Sequence, residues 1–231
     1  MSYVFSPSPT VSVPVASRAE RFPVHRVYCV GRNYAAHARE MGASGREAPF
    51  FFLKPADAVL AVAPGETAAL PYPTLTRDLH HEVELVVAIG KGGSSIAAAE
   101  ADDHVYGYAV GLDMTRRDLQ AEMKKQARPW CIAKGFDRSA PVGVITPRAD
   151  AGEVSRAEIS LQVNGEYRQR SHVSELIWTI GEIVEHLSAA WELQPGDLIY
   201  TGTPEGVAAV TRGDVMVAAV AGLEPLRVRV A

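Results

Sequence analysis

Residues 80–87 read His-His-Glu-Val-Glu-Leu-Val-Val, and the apolar run continues to Ile89. The β-branched and apolar side chains of Val83–Ile89 predict a strand. Because side chains alternate between the two faces of a strand, Glu82 and Glu84 share one face, about 6–7 Å apart. Two carboxylates on one face of an apolar strand are costly unless something neutralises them. A strand with one face in solvent has the same pattern, so both interpretations stay open for this pair alone.

Further strand-like segments lie on both sides of this stretch. Each is a short apolar or alternating run bounded by residues that favour turns, Pro and Gly above all. They comprise residues 27–30, 50–53, 59–63, 105–112, 159–163, 167–170, 198–201, 215–220 and 226–230. Asn164-Gly165 stands between two of them and predicts a tight hairpin, because both residue types tolerate the positive φ of a type I′ turn.

Helices are few in the sequence pattern. Asn33 is a suitable N-cap for a short helix over Tyr34–Met41, and Thr115 for one that runs to about Ala127. Residues 180–191 carry apolar side chains at helical spacing, so that one face of this helix belongs to the core. Strands and helices do not alternate regularly, which disfavours a doubly wound sheet. We therefore predict a β-rich α+β fold, a mixed sandwich or barrel-like roll.

Length and proline content predict one domain with a short appendage. Residues 1–24 carry prolines among small residues, at Pro7, Pro9, Pro14 and Pro23. This composition predicts an extended arm that lies on the body of the protein. The body, residues 25–231, is long enough to bury a core of its own and contains every candidate functional residue.

Composition excludes several classes of protein. Hydrophobic residues make up 47% and charged residues 22% of the chain, which is typical of a compact soluble domain. The net charge of −4, without a block of like charges, disfavours a nucleic-acid partner. Neither a signal peptide nor an apolar run of about 20 residues is present, so we expect a cytoplasmic protein without a membrane partner. Cys29 and Cys131 stand among apolar neighbours and are predicted to be buried free thiols.

Asp113 adds a third carboxylate to the Glu82/Glu84 pair. It ends the apolar run Tyr108–Leu112, where a carboxylate has no packing role, although it could also serve as a helix cap near Thr115. Three carboxylates at strand ends suit a hard divalent cation with open positions, Mg²⁺ or Mn²⁺. Zinc is disfavoured because no Cys/His cluster accompanies them. His80 shares the parity of the glutamates, but a structural or supporting histidine is the simpler interpretation.

Basic and amide side chains follow in the same part of the sequence. Lys134 lies in the apolar segment 130–136, which favours an interior lysine near a metal-bound oxyanion over a snorkelling surface lysine. Arg117 and Gln120 are three residues apart and therefore share one face of the predicted helix after Asp113. His37 and Glu40 have the same spacing, which suits a general base oriented by a carboxylate but is also common on helix surfaces.

Six motifs occur in order: Tyr28–Tyr34 with His37–Met41, Phe52–Pro55, Leu79–Glu84, Gly111–Gln120, Ala133–Asp137 and Thr201–Pro204. Together they resemble the fumarylacetoacetate hydrolase family, and more closely its acylpyruvase and fumarylpyruvate hydrolase branch. The resemblance spans about residue 25 to the C-terminus. It implies a mixed β-sandwich roll, usually a homodimer, that holds a divalent metal, Mg²⁺ or Mn²⁺. By motif, the metal ligands are Glu82, Glu84 and Asp113.

The same resemblance implies the substrate and the roles of the remaining residues. The substrate would be a 2,4-dioxo acid, above all fumarylpyruvate, cleaved to fumarate and pyruvate in gentisate-type aromatic catabolism. His37 and Glu40 would lie on a catalytic lid and activate water, with the glycine-rich residues 42–45 in that lid. The substrate would be surrounded by Arg117, Gln120, Lys134 and Thr203, and its distal carboxylate would meet Arg32, Arg39 or Arg46.

Other functions stay open on the sequence alone. Oxaloacetate decarboxylation, or isomerisation and decarboxylation of related dioxo acids, would use the same metal without an attacking water. A non-enzymatic module that binds small acids is a further alternative. It is disfavoured because a binder has no use for a His37/Glu40 pair beside a metal.

Overall fold

Strands dominate the computed structural model, which describes residues 2–36 and 46–231. They are β1 (Ser12–Pro14), β2 (Arg21–Pro23), β3 (Val27–Gly31), β4 (Phe50–Lys54), β5 (Val59–Ala61), β6 (Thr67–Leu70), β7 (Leu79–His80), β8 (Val83–Ile89), β9 (Val105–Leu112), β10 (Thr115–Arg116), β11 (Ala140–Val142), β12 (Thr146–Pro147), β13 (Glu158–Val163), β14 (Glu166–His172), β15 (Leu198–Tyr200), β16 (Ala209–Val210), β17 (Val215–Val220) and β18 (Leu226–Val230).

The helices of the described residues are short. They are α1 (Arg117–Lys125), α2 (Cys131–Lys134) and α3 (Ile180–Ala190), with 3₁₀ turns at Ala56–Ala58, Ala98–His104, Val154–Arg156 and Val173–Glu175. A capping box between Thr179 and Glu182 begins α3. In the part of the chain that the structure describes, no helix has the length and apolar character needed to span a membrane.

Two mixed sheets form the body. The larger has the strand order β4-β3-β15-β8-β9-β11-β5, with β12 also paired to β9, and the smaller has the order β14-β13-β17-β18-β6. Three pairs are parallel, β3 with β15, β5 with β11 and β6 with β18, while the pairs around β8 are antiparallel. The predicted β-rich mixed fold with few helices is confirmed.

The central strand β8 is buried along its whole length, which explains its continuous apolar sequence. Leu85 and Val87 belong to the main core, together with Leu161 of the smaller sheet. Val86 and Ala88 belong to a second cluster on the opposite face, which includes Val13 and Phe22 of the N-terminal hairpin. By the alternation of the strand, Glu84 lies on the face of Val86 and Ala88.

The N-terminal residues form the β1–β2 hairpin, in which Val13 pairs with Phe22. Both side chains are buried against the larger sheet. The division of the chain into an arm over residues 1–24 and a metal-binding body over residues 25–231 stays a prediction. The Asn164-Gly165 turn has φ values of 54° and 85°, the two positive angles that a type I′ hairpin requires.

Two local predictions are wrong. Thr115 does not cap the following helix, because its pairing with His80 places it in β10 and α1 begins two residues later. Cys131 is exposed, whereas Cys29 is buried as predicted. Only one side of the four-residue α2 faces the body, so Ala133 is buried and Cys131 points outward. The predicted helix over residues 34–41 extends beyond the described residues.

Candidate active site

Glu82, Glu84 and Asp113 come together at one end of the β8–β9 pair. Val83 pairs with Leu112, so the residue before β8 and the residue after β9 lie opposite each other, and the Asp113 N–H donates to the Glu82 carbonyl at 2.9 Å. All three carboxylates are at most 5% exposed. One oxygen from each lies within 4.8 Å of the others. This is the triad that the sequence predicted as a metal site.

Three cations surround two of these carboxylates. Lys134 Nζ donates to Glu82 Oε2 at 2.8 Å and to Asp113 Oδ2 at 2.6 Å. Lys54 Nζ lies 2.8 Å from Asp113 Oδ1, and Arg117 Nη2 donates to Glu82 Oε1 at 2.5 Å. Burial lowers the pKa of the Lys134 ammonium, but the charges of Asp113 and Glu82 outweigh it and raise that pKa above its usual value. This raised pKa favours the ammonium form of Lys134 beside the two carboxylates.

Glu84 differs from its two neighbours. Its Oε2 accepts the Gly202 N–H at 2.7 Å, and no lysine or arginine among the described residues forms an ion pair with it. Burial, followed by the charges of Asp113 and Glu82, raises the pKa of the Glu84 carboxyl well above its usual range. Gly202 has a φ of +104°, and a Cβ there would lie 2.7 Å from Asn33 Cβ, so this close approach requires glycine.

The donor set fits a hard divalent cation. Three buried carboxylate oxygens within reach of one another are the ligands that Mg²⁺ and Mn²⁺ prefer. When all three carboxylates are ionised around a bound divalent cation, the charges of Lys54, Lys134 and Arg117 cancel those of the triad and the cation leaves the site positive. A positive, buried site suits an anionic substrate such as a 2-oxo acid.

Arg117 and Gln120 lie on one face of α1, as their spacing predicted. Arg117 Nη1 donates to Gln120 Oε1 at 2.5 Å, which directs the amide NH₂ of Gln120 away from the arginine and leaves it free to donate elsewhere. Arg117 Nε donates to His80 Nδ1 at 3.3 Å, and His80 Nε2 in turn contacts Asp78 Oδ1 at 2.9 Å. His80 therefore supports the arginine and lies outside the carboxylate triad.

Thr203 and Arg32 line the same pocket as the triad. This pocket is lined by Val30, Gly31, Arg32, Phe50, Phe52, Glu82, Glu84, Asp113, Arg117, Gln120, Trp130, Lys134 and Thr203. The neighbouring Asn33 ties the segment to two others, because its amide donates to Thr201 O at 2.8 Å and to Trp178 O at 3.0 Å. The structure thus gathers eight predicted site residues. The remaining two, His37 and Glu40, and the predicted lid around them, lie outside the described residues.

Two buried polar residues that the sequence analysis missed hold this site. Lys54 ends the edge strand β4 and also donates to the carbonyl oxygens of Met114 and Lys134. Gln169 reaches in from the smaller sheet, where Oε1 accepts from Val83 N at 3.1 Å and Nε2 donates to Thr203 Oγ1 at 2.8 Å. A signal for Gln169 existed, since it is the polar residue at an inward position of the alternating strand β14.

Lys54→Met is expected to destabilise the metal-free protein by about 3–5 kcal/mol, because it removes the charge that faces buried Asp113. Saturating Mn²⁺ is expected to recover part of this loss by supplying positive charge to the same carboxylate. Urea unfolding in EDTA and in Mn²⁺ measures both effects. Lys125→Met, at an exposed position, is the matched control. An unchanged urea midpoint for Lys54→Met would show that the ion pair contributes nothing to stability.

Fold and site together define a class: a mixed β-sandwich roll with a buried carboxylate triad for a divalent cation beside basic and amide side chains. The sequence model described as fumarylacetoacetate (FAA) hydrolase C-terminal matches residues 26–231. The chain belongs to the fumarylacetoacetate hydrolase family, which confirms the resemblance found in the sequence.

Three relatives show the range of reactions on this scaffold. The crystal structure of fumarylpyruvate hydrolase from Pseudomonas aeruginosa in complex with Mn²⁺ and pyruvate is 57% identical, covers 100% of this chain and 99% of its own, and has a TM-score of 0.98. The 5-carboxymethyl-2-hydroxymuconate delta-isomerase from Mycobacterium smegmatis is 39% identical, with 91% and 80% coverage and a TM-score of 0.78. The mitochondrial oxaloacetate tautomerase FAHD1 of Rattus norvegicus is 43% identical over 204 residues, 88% of this chain and 90% of its own.

Proposed function

We propose that this protein is a metal-dependent hydrolase that cleaves the C–C bond of 2,4-dioxo acids, with fumarylpyruvate, the intermediate of gentisate-type catabolism, as its substrate. The observation that carries the proposal is the buried triad on a chain that matches a Mn²⁺- and pyruvate-bound fumarylpyruvate hydrolase along its whole length. Glu82, Glu84 and Asp113 would hold Mg²⁺ or Mn²⁺. When bound, the cation supplies Lewis-acid stabilisation for the carboxylate and 2-oxo oxygens of the substrate.

Lys134 and Gln120 are suited to stabilise the oxyanion that forms at C4. An ammonium has three N–H donors. Two of those on Lys134 bond to Glu82 and Asp113, which leaves one for the substrate. The Gln120 amide NH₂ is the second donor, because Arg117 engages its oxygen. Each donor aimed at such an oxyanion lowers the barrier by a few kcal/mol.

The water that attacks C4 requires a base. We propose His37 for this role, oriented by Glu40, and this pair stays a prediction from the sequence and the family resemblance. Attack forms the C–O bond at C4, after which the C3–C4 bond breaks. The released carbon of the pyruvate fragment takes up a proton, so one water is consumed for each fumarate and pyruvate formed. Arg32, Arg117 and Thr203 would bind the substrate in the shared pocket.

A second candidate is turnover of oxaloacetate, which the similarity to the oxaloacetate tautomerase FAHD1 favours. Tautomerisation or decarboxylation of oxaloacetate needs the metal site but no attacking water. Decarboxylation would need no base at the metal site, whereas tautomerisation would also need a group that carries a proton between C3 and the 2-oxo oxygen. The loss of enol absorbance, measured apart from pyruvate release, separates tautomerisation from decarboxylation.

A substrate panel tests the proposal. Purified protein with Mn²⁺ is expected to release pyruvate from fumarylpyruvate with a higher kcat/KM than it consumes oxaloacetate, and EDTA is expected to abolish both. Lactate dehydrogenase coupling measures the pyruvate. Turnover of oxaloacetate alone would favour the second candidate. Affinity for these acids without any turnover would indicate a binding module.

We also propose that the protein acts as a homodimer in the cytoplasm. The family resemblance supports the dimer, and a composition typical of a compact soluble domain supports the location. Light scattering of the purified protein would contradict the first proposal if it gave the mass of a single chain. Fractionation of the producing cells tests the second.

A further inference from the structure

A groove of about 570 Å³ opens directly from the pocket of the carboxylate triad. The two share five lining residues: Arg32, Phe50, Phe52, Trp130 and Lys134. Phe51, Leu53, Pro129 and Cys131 complete the apolar part of the groove. A substrate whose dioxo-acid end occupies the triad therefore has this groove available for its acyl arm.

The walls of the groove suit a flat, unsaturated acyl arm. Trp130 packs edge-on against Phe50, with ring centroids 5.4 Å apart and an angle of 81°, and against Phe52 at 6.0 Å and 64°. Contacts of this kind leave ring faces and edges that pack well against a planar conjugated group. The double bond of a fumaryl group, conjugated to its carbonyl groups, is such a group.

Among the described residues, the arginines of the groove have no acidic partner. Besides Lys134, its charged lining residues are Arg32 and Arg128, and no acidic side chain among the described residues lines it. Arg32 Nε is buried without a hydrogen-bond partner, and its guanidinium lies 5.5 Å from the Phe50 ring centroid. Arg128 is exposed and forms no ion pair with a described residue. An apolar groove with free guanidinium groups suits an apolar arm that ends in a carboxylate.

Arg128 and Arg32 lie at different distances along the groove from the pocket of the carboxylate triad. Arg32 lines both the triad pocket and the groove, whereas Arg128 lines the groove alone. The backbone holds Arg128 in place, because its N–H donates to Met123 O at 2.9 Å and Pro129 follows it. Arg46, another arginine considered from the sequence, pairs with Glu182 and stacks on Trp178 at 4.2 Å, so it is already engaged.

We propose that Arg128 is a specificity-determining residue: its guanidinium binds the distal carboxylate of a dicarboxylic 2,4-dioxo acid and selects it over acids with an uncharged acyl arm. This inference rests on the proposed hydrolase function and names the substrate class of the same site. Arg128 contacts no reacting atom in this role. Its contribution therefore concerns the choice of substrate, and hydrolysis of an uncharged acylpyruvate does not depend on it.

The test compares fumarylpyruvate with acetylpyruvate, which lacks the distal carboxylate. For Arg128→Gln, kcat/KM for fumarylpyruvate is expected to fall about 10- to 100-fold, the value of one charge-assisted hydrogen bond, through a higher KM. For acetylpyruvate, the kcat/KM of Arg128→Gln is expected to stay within about twofold of the wild-type value. Inhibition by fumarate should weaken in parallel, while inhibition by pyruvate should not. Arg128→Lys should retain part of the preference, since it keeps the charge but loses the planar fork.

Lys125→Gln is the matched control, with the same loss of charge at an exposed position that does not line the groove. It is expected to leave both substrates unchanged. Equal effects of Arg128→Gln on the two substrates, or no effect on either, would overturn the role of Arg128 while the hydrolase function stands. If the wild-type protein hydrolyses neither acylpyruvate, both the proposed function and this inference are wrong.

Discussion

Glu84→Gln is expected to abolish hydrolysis, lowering kcat/KM by about 10³-fold or more, because it removes the carboxylate most dependent on a bound cation. Glu82 and Asp113 each have basic partners, whereas Glu84 accepts only the Gly202 N–H among the contacts of the described residues. The variant should also lose the rise in melting temperature that Mn²⁺ gives the wild-type protein. Pyruvate release and thermal melting with and without Mn²⁺ measure the two effects.

Without metal, the same variant is expected to melt no lower than the wild-type protein. The folded-state pKa of Glu84 is raised, so the folded state binds the proton more tightly than the unfolded state does. The metal-free wild type should therefore lose stability as pH rises above the unfolded-state pKa of about 4.3 towards the folded-state value, and Glu84→Gln should lack that contribution. Glu224→Gln, at an exposed site, controls for the loss of a charge. Full activity of Glu84→Gln, or of the wild type after dialysis against EDTA, would contradict the metal site.

His37→Ala is expected to lower fumarylpyruvate hydrolysis by about 10²–10⁴-fold, the usual contribution of a general base. Decarboxylation of oxaloacetate should change little, because it needs the metal but no attacking water. The two reactions therefore separate in one variant, and the coupled pyruvate assay with each substrate measures the separation.

His172→Ala removes an exposed histidine of β14 and is the control for this experiment. It should leave both reactions unchanged. A parallel loss of both activities in His37→Ala would indicate a role in binding or folding instead of water activation. Normal fumarylpyruvate hydrolysis would exclude His37 as the base.

The carboxylate triad is the part of the site that the sequence analysis located best. Strand alternation placed Glu82 and Glu84 on one face, and the end of an apolar run singled out Asp113. Alternation along one strand does not show which strands pair or in which register. The register of Val83 with Leu112 brings Asp113 beside Glu82, although these two carboxylates are 31 positions apart in the chain. The sequence therefore predicted which carboxylates belong together, while the pairing of the strands brings them to one place.

The partners of the triad depended on the tertiary structure. The sequence pattern did not pair these carboxylates with any cation, yet Lys54, Lys134 and Arg117 reach them from β4, α2 and α1. The sequence analysis placed Lys134 and Arg117 near the substrate and gave Lys54 no role. Gln169 escaped it altogether because this amide comes from the other sheet. The partners of a long polar side chain depend on how the strands and helices pack, and the local sequence does not specify this packing.

By itself, the sequence determined the local elements: the apolar β8 strand, the Asn164-Gly165 hairpin and a β-rich fold with few helices. These follow from short-range steric and hydrophobic patterns, which a few neighbouring residues encode. Only the tertiary structure decided that Thr115 joins a strand, that Cys131 faces outward, and that Arg128 lines the groove leading to the triad. The reason is physical: exposure and charge pairing depend on which distant segments pack together, and local sequence does not record that packing.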